Sequence, residues 1–200
     1  MRRRTCAAVA LLAGAFVLTA CGGDSEPTAP TGQPDVTAPT VPSDSAGAEV
    51  PTVSDPLDAA ALTSEPCTAL TSAQLDELGL TEGETRPNDQ FEGEACRWKS
   101  TEDSLDSVDL TALDNTDGLA GVYAAKDENA YFEPTDVAGY PAVYSGLVDA
   151  RDSGACNLWV GVDDETVLHV LTNLGSADSA DASCGFAADV AEATISTLGG

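Results

Sequence analysis

The hydrophobic and polar positions of the chain follow two periods after residue 65. Alternation of apolar and polar side chains, the period of a strand with one buried face, is clearest at 157–162 and 166–171. These segments flank the acidic turn 163–165 and therefore predict a β-hairpin. The same alternation predicts further strands at 95–99, 107–113, 131–137 and 142–147.

Apolar residues spaced three and four apart predict three helices. The first, 72–78, opens with the pattern of a capping box, in which Thr71 is the N-cap and Gln74 reaches back to it. A second helix is predicted at 119–126, and an Ala-rich third helix at 183–198.

Helices at both ends of a run of strands joined by short connections indicate the α+β class. We therefore expect an antiparallel β-sheet with helices packed on one face, formed by residues 65–200. No internal repeat is visible in this part of the chain.

The first 20 residues have the pattern of a cleaved export signal. Three arginines at positions 2–4 precede the apolar run 7–18, which is too short to span a bilayer as a helix. The run ends in Leu18-Thr19-Ala20-Cys21, which is similar to the lipobox of bacterial lipoproteins. We expect a lipoprotein signal peptide at 1–20, an acylated Cys21, and attachment to the extracytoplasmic face of the cell membrane through that lipid.

The segment 21–64 is rich in Pro, Thr, Ser and acidic residues and contains no aromatic side chain. A segment without a hydrophobic face cannot offset the entropy lost on ordering. The composition therefore predicts a disordered tether between the lipidated cysteine and a folded domain beginning at residue 65.

Charge narrows the range of partners. The chain has eight basic and 34 acidic residues, and loss of the three signal-peptide arginines leaves five basic residues and a net charge of −29. Nucleic acids are bound through clustered Lys and Arg, so no nucleic-acid partner is expected. The expected partners are the membrane, reached through the lipid, and a cell-wall glycan or an envelope protein.

Four cysteines remain after Cys6 and Cys21, at positions 67, 96, 156 and 184. An even number in an exported domain predicts two disulfides. Local pairing, Cys67 with Cys96 and Cys156 with Cys184, is favoured because each pair brackets a local unit. The alternative, Cys67 with Cys184 and Cys96 with Cys156, stays open.

Candidate catalytic groups are few. The single histidine, His169, lies in an alternating strand with Val167 and Leu171 on its own face, which favours a structural role. The segment 114–118 hints at a calcium loop, but it is interpreted as a turn and helix cap because Leu113 takes the place of the first carboxylate ligand. We therefore expect no catalytic residue, no metal site and no cofactor.

One surface patch is a candidate ligand site. Arg97 and Lys99 share the face opposite Cys96, and Trp159 lies opposite the apolar face of its strand. If the two strands are neighbours, an indole beside two cations would form an amphipathic patch for a ligand or glycan.

The cysteine-bearing motifs resemble those of a known family. They are the Pro66-Cys67-Thr68-Ala69-Leu70 segment before a short helix, Cys96-Arg97-Trp98, Cys156 before an alternating strand, and Cys184 in an Ala-rich helix. Together with the lipobox and tether, they are similar to actinobacterial lipoproteins with the domain of unknown function 3558. The resemblance covers about residues 65–200; it implies envelope location and the cysteine framework, and no activity.

The functional hypothesis from the sequence is a non-enzymatic binding or scaffolding module that faces the cell wall. A carrier of a lipid or small molecule is the alternative, and it requires a cavity lined by apolar side chains. A cell-wall hydrolase is the less favoured alternative, because exported hydrolases usually show a recognisable nucleophile, metal site or acid pair.

Overall fold

A computed structural model describes residues 49–114 and 116–200. The predicted signal peptide, Cys21 and the predicted tether up to residue 48 lie outside the described residues. Within the described part, no helix has the length and hydrophobicity needed to cross a membrane.

Seven antiparallel strands form one sheet in the order β1-β2-β3-β7-β6-β5-β4. The strands are β1 Glu84–Pro87, β2 Glu94–Lys99, β3 Ser107–Leu113, β4 Tyr131–Val137, β5 Tyr140–Gly146, β6 Asn157–Gly161 and β7 Val167–Asn173. All six segments predicted as strands are confirmed within a few residues at their ends. β1 was not predicted, because its exposed Glu-Thr-Arg-Pro sequence has no apolar alternation.

The helices are α1 Ser72–Leu78, α2 Gly118–Ala124 and α3 Ala180–Leu198, with shorter 3-10 helices at Ala60–Thr63, Pro66–Ala69, Lys126–Glu128 and Arg151–Ser153. The predicted capping box of α1 is confirmed: the Gln74 backbone N–H donates to the Thr71 hydroxyl, and the Gln74 side-chain oxygen accepts from the Thr71 backbone N–H. α3 begins three residues before its predicted start because Ser179 caps it, accepting a hydrogen bond from the Ala182 N–H at 3.2 Å.

The main core lies between one face of the sheet and the elements α1, α3 and the first two 3-10 helices. Its fully buried side chains include Trp98, Leu110, Leu158, Leu168 and Ile195. The α+β class and the antiparallel sheet are thereby confirmed. The short helix α2 forms a smaller apolar cluster with Val143 of β5. The residues on either side of Val143, Ala142 and Tyr144, belong to the main core.

The two disulfides pair Cys67 with Cys96 and Cys156 with Cys184. The local pairing is thus confirmed, and the alternative pairing is excluded. One bond fixes the 3-10 helix Pro66–Ala69 to β2, and the other fixes the start of β6 to α3. Because each closes a loop of nearly 30 residues, the chain-entropy model gives each about 3.5 kcal/mol of stabilisation.

The folded domain begins before residue 65, so the predicted end of the tether at residue 64 is wrong. Leu57 and Leu62 are buried in the main core, and the Leu57 N–H donates to the Val162 carbonyl at 2.8 Å. The Tyr140 hydroxyl also donates to the Asp55 carbonyl at 2.9 Å. The start of the folded domain was not predicted, because two leucines within an Ala- and Asp-rich segment form no periodic pattern.

The corrected boundary predicts that Leu62→Ala lowers the free energy of unfolding by about 2–4 kcal/mol, because a buried leucine is lost from the core. Leu147→Ala is the matched control, since Leu147 is 73% exposed and its truncation is expected to cost no more than about 0.5 kcal/mol. Urea unfolding under non-reducing conditions measures both. Equal stabilities would show that Leu62 belongs to a tether.

Candidate functional site

A cavity of about 480 Å³ lies at the end of the sheet where β2 and β7 end and β3 and α3 begin. Its apolar lining comes from Leu78, Leu80, Leu174, Ala177, Ala182 and Phe186. Hydroxyls and carboxylates from the β2–β3 loop and the β7–α3 loop complete it. The volume is in the range of small-molecule sites.

The β2–β3 loop forms one wall of the cavity and is fixed to the end of α1. The Thr101 N–H and hydroxyl both donate to the Gly79 carbonyl, at 2.8 and 3.0 Å. Gly79 ends α1 in the left-handed conformation, with φ of 65°, which a glycine adopts without a steric penalty. Gly79, which ends α1, is thus also the anchor of this wall.

The β7–α3 loop forms the opposite wall and is held by hydrogen bonds to the segment that precedes β6. The Leu174 N–H donates to the Gly154 carbonyl at 3.0 Å, and the Ala180 N–H donates to the Asp152 side chain at 3.1 Å. Any side chain at Gly154 would overlap the Leu174 backbone, since a Cβ there would lie 1.8 Å from its carbonyl oxygen. The two walls are therefore held by separate sets of hydrogen bonds.

Asp106 is the more deeply buried of two buried polar residues in the cavity lining, with 4% of its surface exposed against 8% for Ser107. Its Oδ2 accepts a short hydrogen bond from the Ser176 hydroxyl across the cavity. Its Oδ1 is buried and has no hydrogen-bond partner among the described residues. Leaving a buried carboxylate oxygen unpaired costs free energy in the folded state, and surrounding atoms cover this oxygen almost completely.

The Asp106 backbone is held firmly at the end of its loop. Its N–H donates to the Asp103 carbonyl, and its carbonyl accepts from the Ser100 N–H, each at 3.0 Å. These bonds close the turn that leads into β3. The carboxylate therefore projects from a fixed position.

The predicted patch of Arg97, Lys99 and Trp159 is not formed. Strands β3 and β7 lie between β2 and β6, so the indole is not beside the two cations. Lys99 is exposed at the end of β2. The local alternation identified the faces of the strands, but strand order depends on contacts between distant segments.

Arg97 forms an ion pair with Asp109. Its guanidinium donates to both carboxylate oxygens of Asp109 on β3, with Nε–Oδ1 at 2.9 Å and Nη2–Oδ2 at 2.7 Å. This hydrogen bonding raises the pKa of Arg97 above its usual value. The positive charge of Arg97 is therefore balanced by Asp109.

Trp159 packs in an aromatic cluster instead. Its ring stacks on His169 at a centroid distance of 4.0 Å, and the edge of Phe91 approaches it at 5.3 Å. The indole N–H donates to the Ser145 carbonyl at 3.0 Å. The aromatic groups on this face therefore contact one another, and the indole N–H is already satisfied.

His169 is a buried strand residue, as predicted, with 3% of its surface exposed. Its Nε2 lies 2.9 Å from the Asn157 side-chain oxygen, and burial lowers its pKa from 6.5 to about 3. His169 and Arg97 both line a second, small cavity of about 100 Å³ under the β1–β2 loop. His169 lies four residues before the end of β7, whereas the Asp106 cavity lies beyond that end, so the imidazole does not line that cavity.

The 114–118 segment leads into α2. Asp117 is the residue before the helix, but its side chain makes no capping hydrogen bond. Gly118 has a positive φ of 57°, and a Cβ there would lie 2.7 Å from the Asp164 carbonyl oxygen. The loop thus packs closely on the tip of the β6–β7 hairpin. Among residues 49–114 and 116–200, no three metal-ligating side chains are grouped around a common point.

A family model described as "Protein of unknown function (DUF3558)" matches residues 16–197. The chain belongs to this family. The resemblance seen in the cysteine-bearing motifs is thereby confirmed at the level of the DUF3558 domain, a description that assigns no activity. Comparison with curated proteins and with solved structures finds no match.

Sequence reasoning missed the Asp106 cavity. Asp106 follows Asp103 and precedes the strand Ser107–Leu113, a setting typical of an ordinary solvated turn. Its partner Ser176 lies 70 residues further along, in a loop without any motif. No local signal distinguishes this aspartate from the other acidic residues of the chain.

The buried imidazole predicts a specific pH dependence of stability. Above pH 6.5, His169 is neutral in both the folded and the unfolded chain; below it, the unfolded chain binds a proton that the folded chain excludes until about pH 3. The free energy of unfolding should therefore fall by about 1 kcal/mol from this residue between pH 7 and 5.5.

Urea unfolding of wild type and His169→Gln at these two pH values isolates that contribution, because the carboxylates titrate in both proteins. The variant keeps an N–H donor for Asn157 and should lack the histidine-dependent loss. An equal loss in the two proteins would contradict the assignment.

Proposed function

We propose that this protein is an extracytoplasmic lipoprotein whose folded domain binds a small molecule in the Asp106 cavity. The observation that carries the proposal is the cavity of about 480 Å³, whose lining combines apolar side chains with hydroxyls and carboxylates.

The cavity has the composition of a binding site. Apolar side chains such as Leu80, Leu174 and Phe186 can exclude water from a ligand, while Asp106 and Ser176 fix its orientation. This combination favours small-molecule binding, the carrier alternative of the sequence hypothesis, over a purely scaffolding role.

Binding without chemical conversion is the simpler role for these residues. Ser176 is the hydroxyl nearest to a base, and that base is the Asp106 carboxylate. The imidazole that commonly activates such a hydroxyl is absent from the cavity, because the one histidine of the chain is buried against Asn157 and Trp159. We therefore favour a binding function over a hydrolytic one.

Membrane attachment is supported by the sequence around Cys21. The basic start, the short apolar run and the Leu-Thr-Ala-Cys pattern agree with lipoprotein processing. The mature net charge of −29 disfavours electrostatic binding to anionic headgroups, so the lipid has to provide the attachment. An anchored binding domain would hold its ligand close to the cell surface.

The anchoring proposal predicts that the native protein sediments with membranes and begins with an acylated Cys21, because several buried acyl chains contribute about 0.8 kcal/mol per methylene. Cys21→Ser should lose the lipid and leave the acyl-bearing peptide undetectable by mass spectrometry. A wild-type chain recovered without lipid and with an intact Met1 would contradict the proposal.

The cavity predicts binding of a neutral apolar probe that carries an N–H donor. N-phenyl-1-naphthylamine should show saturable fluorescence enhancement with the mature chain carrying Cys21→Ser. Ala182→Phe should weaken this binding about tenfold or more, because the added ring occupies volume at the cavity lining.

The matched control is Ala120→Phe, which places the same ring on an exposed position of α2 away from the cavity. This variant should bind the probe as wild type does. If Ala182→Phe also binds normally, or wild type does not bind, the cavity is not the binding site.

A further inference from the structure

Strand β4 is a free edge of the sheet. It lies last in the strand order and, among the described residues, pairs with β5 alone. Glu133, Pro134 and Asp136 of this strand are exposed. A free edge presents unpaired backbone N–H and C=O groups, which are a template for pairing with another chain. The properties of this edge therefore decide whether the folded domain associates through its sheet.

The β4–β5 turn determines which backbone groups face the free edge. Ala138 and Gly139 form the turn, and both have a positive φ, of 52° and 88°. In a two-residue turn of this kind the flanking residues, Val137 and Tyr140, exchange hydrogen bonds, and pairs along the ladder then alternate between bonded and non-bonded. Every second residue of β4 therefore directs its backbone groups away from β5. These outward-facing residues are Phe132, Pro134 and Asp136.

Pro134 occupies the middle of the three outward positions and has no N–H to donate. The remaining outward donors, on Phe132 and Asp136, are four residues apart, which is about 13 Å along a strand. An added strand would place a carbonyl group between these donors and leave it unpaired. Because an unpaired carbonyl in an interface costs free energy, the edge is a poor template for a second strand.

The opposite edge of the sheet has the same feature. Strand β1 is only four residues long and ends at Pro87. The Asn88 N–H donates to the Gly93 carbonyl at 3.0 Å in the adjoining loop, so the alternation directs the Pro87 nitrogen away from β2. The Thr85 hydroxyl donates to Cys67 Sγ at 3.4 Å, which places the first disulfide beside β1. Both edges thus have a proline at an outward-facing donor position, and β4 is the longer edge.

Other features near β4 act on self-association in opposite directions. Leu147 and Val148 directly follow the end of β5, opposite the start of β4, and are 73% and 72% exposed. Exposed apolar side chains beside a free edge promote association. The net charge of −29 of the mature chain makes two copies repel each other. Salt screens this repulsion, whereas the missing N–H of Pro134 acts at contact in any salt.

We infer that the outer edge of β4 is a pairing surface for a second copy of this chain, and that Pro134 keeps this surface from pairing. In a two-fold antiparallel arrangement centred on Pro134, Phe132 of each copy lies opposite Asp136 of the other, which allows four hydrogen bonds. Any other amino acid at position 134 supplies an N–H in each copy and adds the two central bonds. The inference is independent of the cavity and of its ligand.

Sedimentation equilibrium of the oxidised mature chain with Cys21→Ser tests the inference. The salt is about 0.1 and about 1 M NaCl, between which the screening length falls from about 10 to about 3 Å. Wild type should be monomeric in both. Pro134→Thr should form dimers, with a dissociation constant at least about tenfold below the limit set by wild type, because two hydrogen bonds are added. Its dimers should be tighter in high salt.

Pro141→Thr is the matched control. It removes a proline from β5, which lies between β4 and β6, so it adds no N–H to the free edge and should leave the chain monomeric. Pro134→Ala is a second variant at the edge, since alanine also supplies the N–H, and it should dimerise as well. Because Pro134 is exposed, both edge variants should fold.

Amide hydrogen exchange locates the contact. The N–H groups of Phe132 and Asp136 should exchange fast in wild type and slowly in the Pro134→Thr dimer. The N–H groups of Glu133 and Thr135, which face β5, should exchange slowly in both proteins.

Four results would overturn the inference. One is slow exchange of Phe132 and Asp136 in monomeric wild type, a measurement that needs no variant. Another is dimerisation of wild type through these two residues in high salt, because charge alone would then keep the edge unpaired. The others are monomeric behaviour of both folded edge variants, and dimerisation of Pro141→Thr to the same extent as Pro134→Thr.

Discussion

The pairing of β3 with β7 is the constraint on which the rest of the fold depends. The two strands lie in the middle of the sheet and pair over seven residues, from Ser107 with Asn173 to Leu113 with Val167. All seven residues of β3 are buried. A slip of one residue would move every side chain of a strand to the opposite face, so burial on both faces fixes this register strongly.

This register also positions the cavity. Asp106 immediately precedes the first paired residue of β3, and Leu174 immediately follows the last paired residue of β7. The two loops that form the cavity walls therefore leave the same end of one ladder. The Cys156–Cys184 disulfide adds a second constraint there, because it holds α3 against the start of β6 while the helix contributes Ala182 and Phe186 to the cavity.

Patterns within short segments of the sequence predicted the features that are determined by residues close together in the chain: the strands, the helix cap and the disulfide pairing. The alternation at 107–113 has the same bounds as β3, and the capping box matches α1, since both features are determined within a few residues. The disulfide pairing followed because each bond closes a local loop. Strand order did not follow: β3 and β7 separate Arg97 from Trp159, and only contacts between distant segments determine that arrangement. The cavity was missed for the same reason, as Asp106 and Ser176 are 70 residues apart.

Four buried side-chain atoms lack a partner among the described residues, and they are not equivalent. Three belong to neutral groups, on Trp98, Thr116 and Ser145, and the fourth is the carboxylate oxygen of Asp106. A neutral orphan costs little compared with a buried charge, which an acidic domain has few cations to balance. The unpaired oxygen of Asp106 is therefore a local cost at the end of the β3–β7 ladder, and the core packed on that ladder has to offset it.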